Sequence, residues 1–317
     1  MEYGLIGEKL GHSFSKEIHN KIGDYLYELK EIEPQNLEAF ITGRDFKGIN
    51  VTIPYKQDVI PLLDYVDPAA LKIGAVNTIV NRDGKLYGFN TDFFGMKLLI
   101  RRLNIEVAGK KVLILGTGGT SLTATAVVES LEASEIIHVS RSGKDDAVTY
   151  EQAYERHSDA QVIINTTPCG MYPNYRALPI DVNRFDKLEG LVDAIYNPLA
   201  TELVLAARKK GVPAAGGLFM LVAQAVCAAE FFFDCKYPGE LLDKIYESME
   251  RKKSNIVLVG MPGSGKSSVG RILSERLGRE MVDTDALIVK KAGMEITDIF
   301  AQYGEKHFRD IESEVIR

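Results

Sequence analysis

The sequence predicts an α/β protein built on parallel sheets, and three observations carry that reading. Short apolar runs of strand length alternate with helical patterns along most of the chain. The run KKVLILG (110–116) is apolar without alternation, as a strand covered on both faces requires. A glycine-rich turn and a helical stretch follow it at once, and the same order recurs at NIVLVG (255–260).

Taken in order, residues 2–6 read as a first strand and KGINVTIPYK (47–56) as a strand running into a loop. The segment 74–92 reads as two strands around the turn Asp83-Gly84. After KKVLILG, four more strand candidates follow at regular spacing: EIIHVSRS, AQVIINTTP, LVDAIYNP and VPAAGG. Helices fit between them, notably at 121–132 and 200–210, and the layout is that of a doubly wound, Rossmann-type sheet. Two helices come after Gly217, and these are expected to pack back on the first unit. The second, 240–253, places Leu241, Leu242, Ile245, Tyr246 and Met249 on one face. The charged run 250–253 reads as a boundary, and NIVLVG as the first strand of a further unit.

A chain of 317 residues with 45% apolar content can fill about two ordinary domains. Its formal charge of −6 offers no basic footprint for nucleic acid or a membrane surface. The cysteines, Cys169, Cys227 and Cys235, have no CxxC spacing, which argues against a disulfide framework or a zinc site. The five His residues are scattered, so no metal cluster is expected outside the C-terminal unit. The stretch 218–233 is too short to span a bilayer and carries Gln224 and Glu230, so it reads as a buried helix. The first residues lack the basic and apolar regions of a signal peptide, and the expected location is the cytoplasm.

Gly116, Gly118 and Gly119 lie between a strand and a helix, where a dinucleotide pyrophosphate meets a helix N-terminus. The third glycine of that fingerprint is replaced by Ser121, so the loop alone reads equally as a tight strand–helix turn. The next strand ends Ser140-Arg141-Ser142, with Lys144 beyond. A guanidinium there attracts a ribose 2′-phosphate and offers no acceptor to a plain ribose, so NADP is favoured over NAD.

GHSFS (11–15), NVTIPYK (50–56), GAVNT (74–78) and GFNTD (88–92) each place polar groups beside turns. In this order, and followed by NTTPCGM (165–171), DAIYNP (193–198) and GLFMLVAQA (217–225), they resemble shikimate dehydrogenase from about residue 3 to 250. The resemblance implies reversible NADPH-dependent reduction of 3-dehydroshikimate to shikimate, on the way to chorismate and the aromatic amino acids. It implies a shikimate-binding domain over 1–100, completed by helices in 217–250, and an NADP-binding domain over 101–216. Lys56 and Asp92 would be the catalytic pair, and Ser13, Ser15, Thr52, Asn77, Tyr196 and Gln224 would hold the substrate. Gly116, Gly118, Gly119, Ser140, Arg141 and Thr166 would hold NADP(H). The chemistry suits such a set: hydride arriving at a ketone carbon builds charge on oxygen, which an ammonium can stabilise and protonate. Two departures stand out. Lys16 replaces the family's usual Pro, tolerable if it points outward, and Ser140 replaces the usual Asn.

GMPGSGKSS (260–268) satisfies the phosphate-loop pattern GxxxxGK[ST] in full. With MVDTD (281–285) and FAQYGEKHFRDIE (300–312) it resembles shikimate kinase. By that resemblance Gly260, Gly263, Gly265, Lys266 and Ser267 would hold ATP, and Ser267 and Asp283 would hold Mg²⁺. Asp285 and Arg309 would meet the kinase substrate, with Glu305 and Glu312 orienting the arginine. Residues 254–317 offer at most two strands and none of the family's downstream lid, so a truncated P-loop unit without kinase activity of its own is expected. Other readings are a quinate/shikimate dehydrogenase of relaxed specificity, a phosphotransferase acting through the P-loop, and a non-catalytic binding protein.

Overall fold

The computed structural model describes residues 1–11, 14–143, 146–261 and 263–316. It divides into two compact units, Met1–Lys253 and Ser254–Arg317.

The first unit opens β1 Tyr3–Gly7, α1 Ser15–Ile22, β2 Tyr27–Glu31, α2 Leu37–Gly43, β3 Gly48–Val51, β4 Tyr65–Val66 and α3 Pro68–Ile73. The hairpin β5 Thr78–Arg82 and β6 Lys85–Phe89 follows, then α4 Thr91–Arg102. Its turn falls at Asp83 and Gly84, both at positive φ, which matches the twist of the strands it joins. Six strands form one sheet in the order β2-β1-β3-β5-β6-β4. This sheet is mixed, not parallel as the sequence predicts, because β5 runs antiparallel to both β3 and β6. The hairpin turn is too short to allow a parallel crossover.

A second sheet follows: β7 Lys111–Leu115, α5 Gly119–Ser130, β8 Glu135–Val139, α6 Tyr150–Arg156 and β9 Val162–Asn165. It continues with β10 Gly190–Asp193, α7 Glu202–Lys209 and β11 Ala214–Ala215. The order is β11-β10-β9-β7-β8 and every pairing is parallel. The strand order reverses between β7 and β9, and ligands of such sheets bind at the carboxyl ends of the strands flanking that reversal. Val112, Leu113, Ile114 and Leu115 are all fully buried, as a run without alternation requires.

Two helices, α8 Leu218–Phe233 and α9 Gly239–Lys253, then return to the first sheet. α8 packs along α4, and Ile245 and Met249 of α9 join Val222, Ala225 and Ala229 of α8 in one cluster with Ile18 and Ile22. The α4–α8 approach is close: a β-carbon at Gly95 would stand 2.6 Å from the Met220 carbonyl oxygen. That proximity brings polar side chains of α8 to the first turn of α4. Among the described residues no helix is long and apolar enough to cross a membrane.

The second unit holds α10 Lys266–Leu277, α11 Thr284–Ala292 and α12 Ile296–Ile316, the last broken at Gly304. Ile288, Ile299 and Phe308 form its small core. The strand expected at 255–260 is absent among the described residues, and Val257 and Val259 are 77% and 89% exposed. A β-strand takes its backbone hydrogen bonds from a neighbour, and among the described residues of this unit no strand supplies one.

Candidate active site

Lys56 and Asp92 meet at one end of the first sheet, where Lys56 Nζ donates to Asp92 Oδ2 at 2.6 Å. Three contacts place the lysine. Tyr55, buried beside it, donates its phenol hydrogen to the Ile32 carbonyl. The Lys56 carbonyl accepts from the Val76 N–H at 2.8 Å, and the Thr52 N–H reaches the Ile6 carbonyl at 3.0 Å. Asp92 sits in the first turn of α4, where the helix N-terminus favours a carboxylate. The cap of that helix is Asn90, which accepts from the Phe93 N–H at 3.1 Å and donates to the Ala75 carbonyl at 2.9 Å. Thus the loop carrying Asn77, the turn carrying Lys56 and the helix carrying Asp92 are bonded to one another. Both members of the pair keep part of their side chains accessible, 29% and 21%.

Asn77 is nearly buried, and its orientation is decided by a donor. The Thr91 N–H reaches its Oδ1 at 2.7 Å, and only an oxygen can accept there. The hydroxyls of Thr78 and Thr91 stand 3.1 and 3.2 Å from the same oxygen. The amide Nδ2 is therefore the free half of the group, a donor with no partner among the described residues. Gln224 of α8 joins this cluster through Thr91, whose hydroxyl lies 3.4 Å from Gln224 Oε1. Asn50, Thr78 and Thr91 are buried members of the cluster that motif reading did not single out, although each stands inside a quoted motif.

Ser15 begins α1, and Thr52 follows β3 directly. Ser13 lies outside the described residues, as does Lys144. Lys16 is exposed, so its side chain points away as a tolerated departure requires. Tyr196 is exposed, yet the part of its ring that is covered pushes its phenol above the ordinary range. Its ring meets Phe14, the neighbour of Ser15, edge to face with centroids 5.8 Å apart. The loop after β10 therefore reaches across to the start of α1.

On the second sheet, Gly116 has φ +105°, and a β-carbon there would stand 2.9 Å from Thr166 Oγ1. Gly118 caps α5, and added β-carbons at Gly118 and Gly119 would meet nothing within 4 Å. That open cradle of backbone at a helix N-terminus fits a pyrophosphate. Ser121 does not disturb it: the side chain is buried and its hydroxyl donates back to the Gly118 carbonyl at 2.6 Å. Thr166, after β9, donates its hydroxyl to the Leu115 carbonyl at 2.6 Å. Ser140 turns its hydroxyl to the Gly143 N–H at 3.0 Å, while Arg141 is exposed.

Asp193 at the end of β10 is fully buried and ties this edge together. It accepts from the Thr201 hydroxyl at 2.6 Å and from the Ile195 N–H and the Asn165 amide at 3.0 Å. Burial nevertheless lifts its carboxyl to about 6. A folded-state value above the unfolded one means the native state holds the proton more tightly. This contribution is full below about pH 4 and is lost as pH rises through 6. Asp193→Asn keeps the acceptor for Ile195 and Asn165 but cannot titrate. Between pH 7 and pH 4 the wild type should gain on this variant by on the order of 3 kcal/mol. Urea denaturation of both proteins across that range checks it, and a constant gap would refute it.

In the second unit Gly263 and Gly265 take positive φ, and Lys266 Nζ donates to the Gly260 and Met261 carbonyls at 2.8 and 2.9 Å. Ser267 opens α10 beside it. Asp283 caps α11 by accepting from the Asp285 N–H at 3.0 Å. Arg309 pairs with Glu312 at 2.9 Å and with Glu305 at 3.5 Å. Among the described residues no group of three metal-ligating side chains assembles.

Residues 5–79 match the family model for the shikimate dehydrogenase substrate binding domain, and residues 262–317 match that for shikimate kinase. A shikimate dehydrogenase (NADP(+)) of Clostridium perfringens is 38% identical over 265 residues, 78% of this chain and 98% of its own length. A chorismate mutase/shikimate 5-dehydrogenase fusion protein from Clostridium acetobutylicum superimposes with a TM-score of 0.75 at 34% identity, covering 80% of this chain and 98% of its own. A quinate dehydrogenase from Corynebacterium glutamicum, in complex with NAD, superimposes with a TM-score of 0.72 at 26% identity, over 79% and 99%. On this coverage and identity the chain belongs to the NADP-dependent shikimate dehydrogenase family, as an oxidoreductase carrying a shikimate kinase match at its C-terminal side.

Proposed function

We propose that Lys56 and Asp92 handle the proton and charge of the shikimate reaction, between a substrate-binding part (1–100 with 217–250) and an NADP-binding part (101–216). The observation that carries this reading is the 2.6 Å Lys56–Asp92 contact beside Asn77, whose amide Nδ2 has no partner among the described residues. NADPH, when bound, supplies the hydride. Lys56 stabilises the charge that grows on the ketone oxygen and delivers a proton to it; in the reverse direction it receives that proton. Asp92 keeps the ammonium aimed and accepts from a ring hydroxyl. Asn77 donates to a substrate oxygen through Nδ2, Gln224 flanks it, and Ser13, Ser15 and Thr52 hold the carboxylate and hydroxyls. Tyr196 closes the far side through its contact with Phe14.

For the cofactor, Gly116, Gly118 and Gly119 offer the phosphate cradle, Thr166 borders it, and Ser140 and Arg141 meet the adenosine end. Arg141 is free to meet a 2′-phosphate, having an exposed side chain at the end of β8. In the second unit the residues Gly260, Gly263, Gly265, Lys266 and Ser267 are assigned to ATP phosphate. Ser267 and Asp283 are assigned to Mg²⁺, and Asp285 and Arg309 to a hydroxylated, carboxylated substrate. The protein acts on a small molecule, without nucleic acid or membrane, in the cytoplasm.

The likeness to a quinate dehydrogenase favours one second reading, turnover of both ring acids. Steady-state oxidation of shikimate and of quinate with NADP⁺ and with NAD⁺ separates the two. Shikimate with NADP⁺ should give the highest kcat/KM by at least an order of magnitude. Equal turnover of quinate would move the assignment to the relaxed dehydrogenase.

A further inference from the structure

We infer that Asn50, together with Tyr27 and Thr78, is a positioning residue that reinforces, beside the Thr91 N–H, the orientation in which Asn77 turns its donor face toward the substrate. The inference rests on the proposed role of Asn77 as a substrate contact.

Asn50 lies on β3, directly across from Thr78 on β5. Its Nδ2 donates to the Asn77 carbonyl at 3.2 Å and to Thr78 Oγ1 at 3.0 Å. Its Oδ1 accepts the Tyr27 hydroxyl at 2.7 Å. The bond to the Asn77 backbone carbonyl fixes which end of the Asn50 amide is nitrogen, since that carbonyl can take only a donor, and it leaves Oδ1 to accept from Tyr27. Thr78 Oγ1, once it accepts from Asn50, turns its own hydrogen toward Asn77 Oδ1 at 3.1 Å or Thr91 Oγ1 at 3.2 Å. With that hydrogen on Asn77 Oδ1, donor polarity runs from Tyr27 through Asn50 and Thr78 to the oxygen of Asn77. All of these groups are buried, so no water substitutes for a missing member. Tyr27 is itself held in place, its ring stacked on His19 at 3.8 Å between centroids. His19 belongs to α1, the helix that Ser15 begins. One buried chain thus links α1 to Asn77, and among the described residues Asn50 makes no hydrogen bond to the Lys56–Asp92 pair or to the glycines of the cofactor cradle.

The test is a double-mutant cycle on the full chain. Asn77→Ala alone is expected to raise the KM for shikimate about 30-fold; an unchanged KM would remove the substrate role of Asn77 and this inference with it. Asn50→Leu is expected to raise the same KM about tenfold, with kcat and the KM for NADP⁺ within twofold of wild type. In the Asn77→Ala background Asn50→Leu should add less than twofold. A full tenfold there would show that Asn50 acts elsewhere and would overturn the inference while leaving Asn77 in place. Tyr27→Phe keeps the ring and its stack and removes only the hydroxyl, so it serves if Asn50→Leu fails to fold. It should raise the KM for shikimate about threefold and lose that effect with Asn77→Ala; no change in KM, or a threefold rise that persists, would overturn the inference.

Discussion

Lys56→Ala is expected to lower kcat for shikimate oxidation by about 10²- to 10⁴-fold, the range spanned by loss of a positioned acid–base group. Its fold and its affinity for NADPH should survive. The lysine is anchored from its backbone, through the Val76 N–H, and its side chain fills no core position. Asp92, left without its partner, stays in the first turn of α4, where the helix N-terminus and partial solvent access tolerate a carboxylate. The loss should fall on kcat more than on KM, because the charge that Lys56 meets grows as hydride arrives. Steady-state kinetics beside NADPH titration and thermal melting decide it. A variant with near-wild-type kcat would remove Lys56 from the chemistry, whereas lost NADPH binding would point to misfolding.

Arg141→Ala should cut kcat/KM for NADPH by about 10- to 100-fold, the value of a charge-assisted hydrogen bond to a phosphate. NADH, which lacks the 2′-phosphate, should be affected less than threefold. Arg141 suits this role because it is exposed beyond β8, and the Val139 carbonyl of that strand accepts from the Gly116 N–H at 2.8 Å. The phosphate cradle and the end of β8 are thus neighbours across one hydrogen bond. Ser140, which replaces the Asn the resemblance leads one to expect, accepts from the Gly143 N–H, so in this proposal the discrimination falls to the arginine. Equal losses for the two cofactors would sink the 2′-phosphate role.

Much of the fold was legible in the residues because parallel strands buried on both faces are apolar throughout. Val112 to Leu115 and Val162 to Ile164 announce themselves that way. The hairpin was legible from Asp83-Gly84, but the antiparallel placement of β5 beside β3 was not, since pairing between distant segments leaves no mark on either one. NIVLVG shows the opposite failure. Its composition is that of a buried strand, yet strand formation needs a partner, and none of the described residues provides one.

Lys56, Asp92, Asn77 and the glycines of both phosphate loops could be named from motifs, because their residue types carry the chemistry. Asn50 and Thr78 could not be given a task that way. Buried amides and hydroxyls in strands are as often structural as functional, and their meaning lies in which way each hydrogen bond points. By itself the sequence determined the fold class and the reaction class, and it nominated the residues proposed to perform the reaction, since these depend on local patterns and side-chain chemistry. Only the tertiary structure decided that Thr91 meets the side-chain oxygen of Asn77 while Asn50 holds its backbone carbonyl, and so which half of the amide is free. The surrounding bonds among residues 27, 50, 77, 78, 91 and 224 are ones that only the folded first sheet and the α4–α8 packing bring within reach.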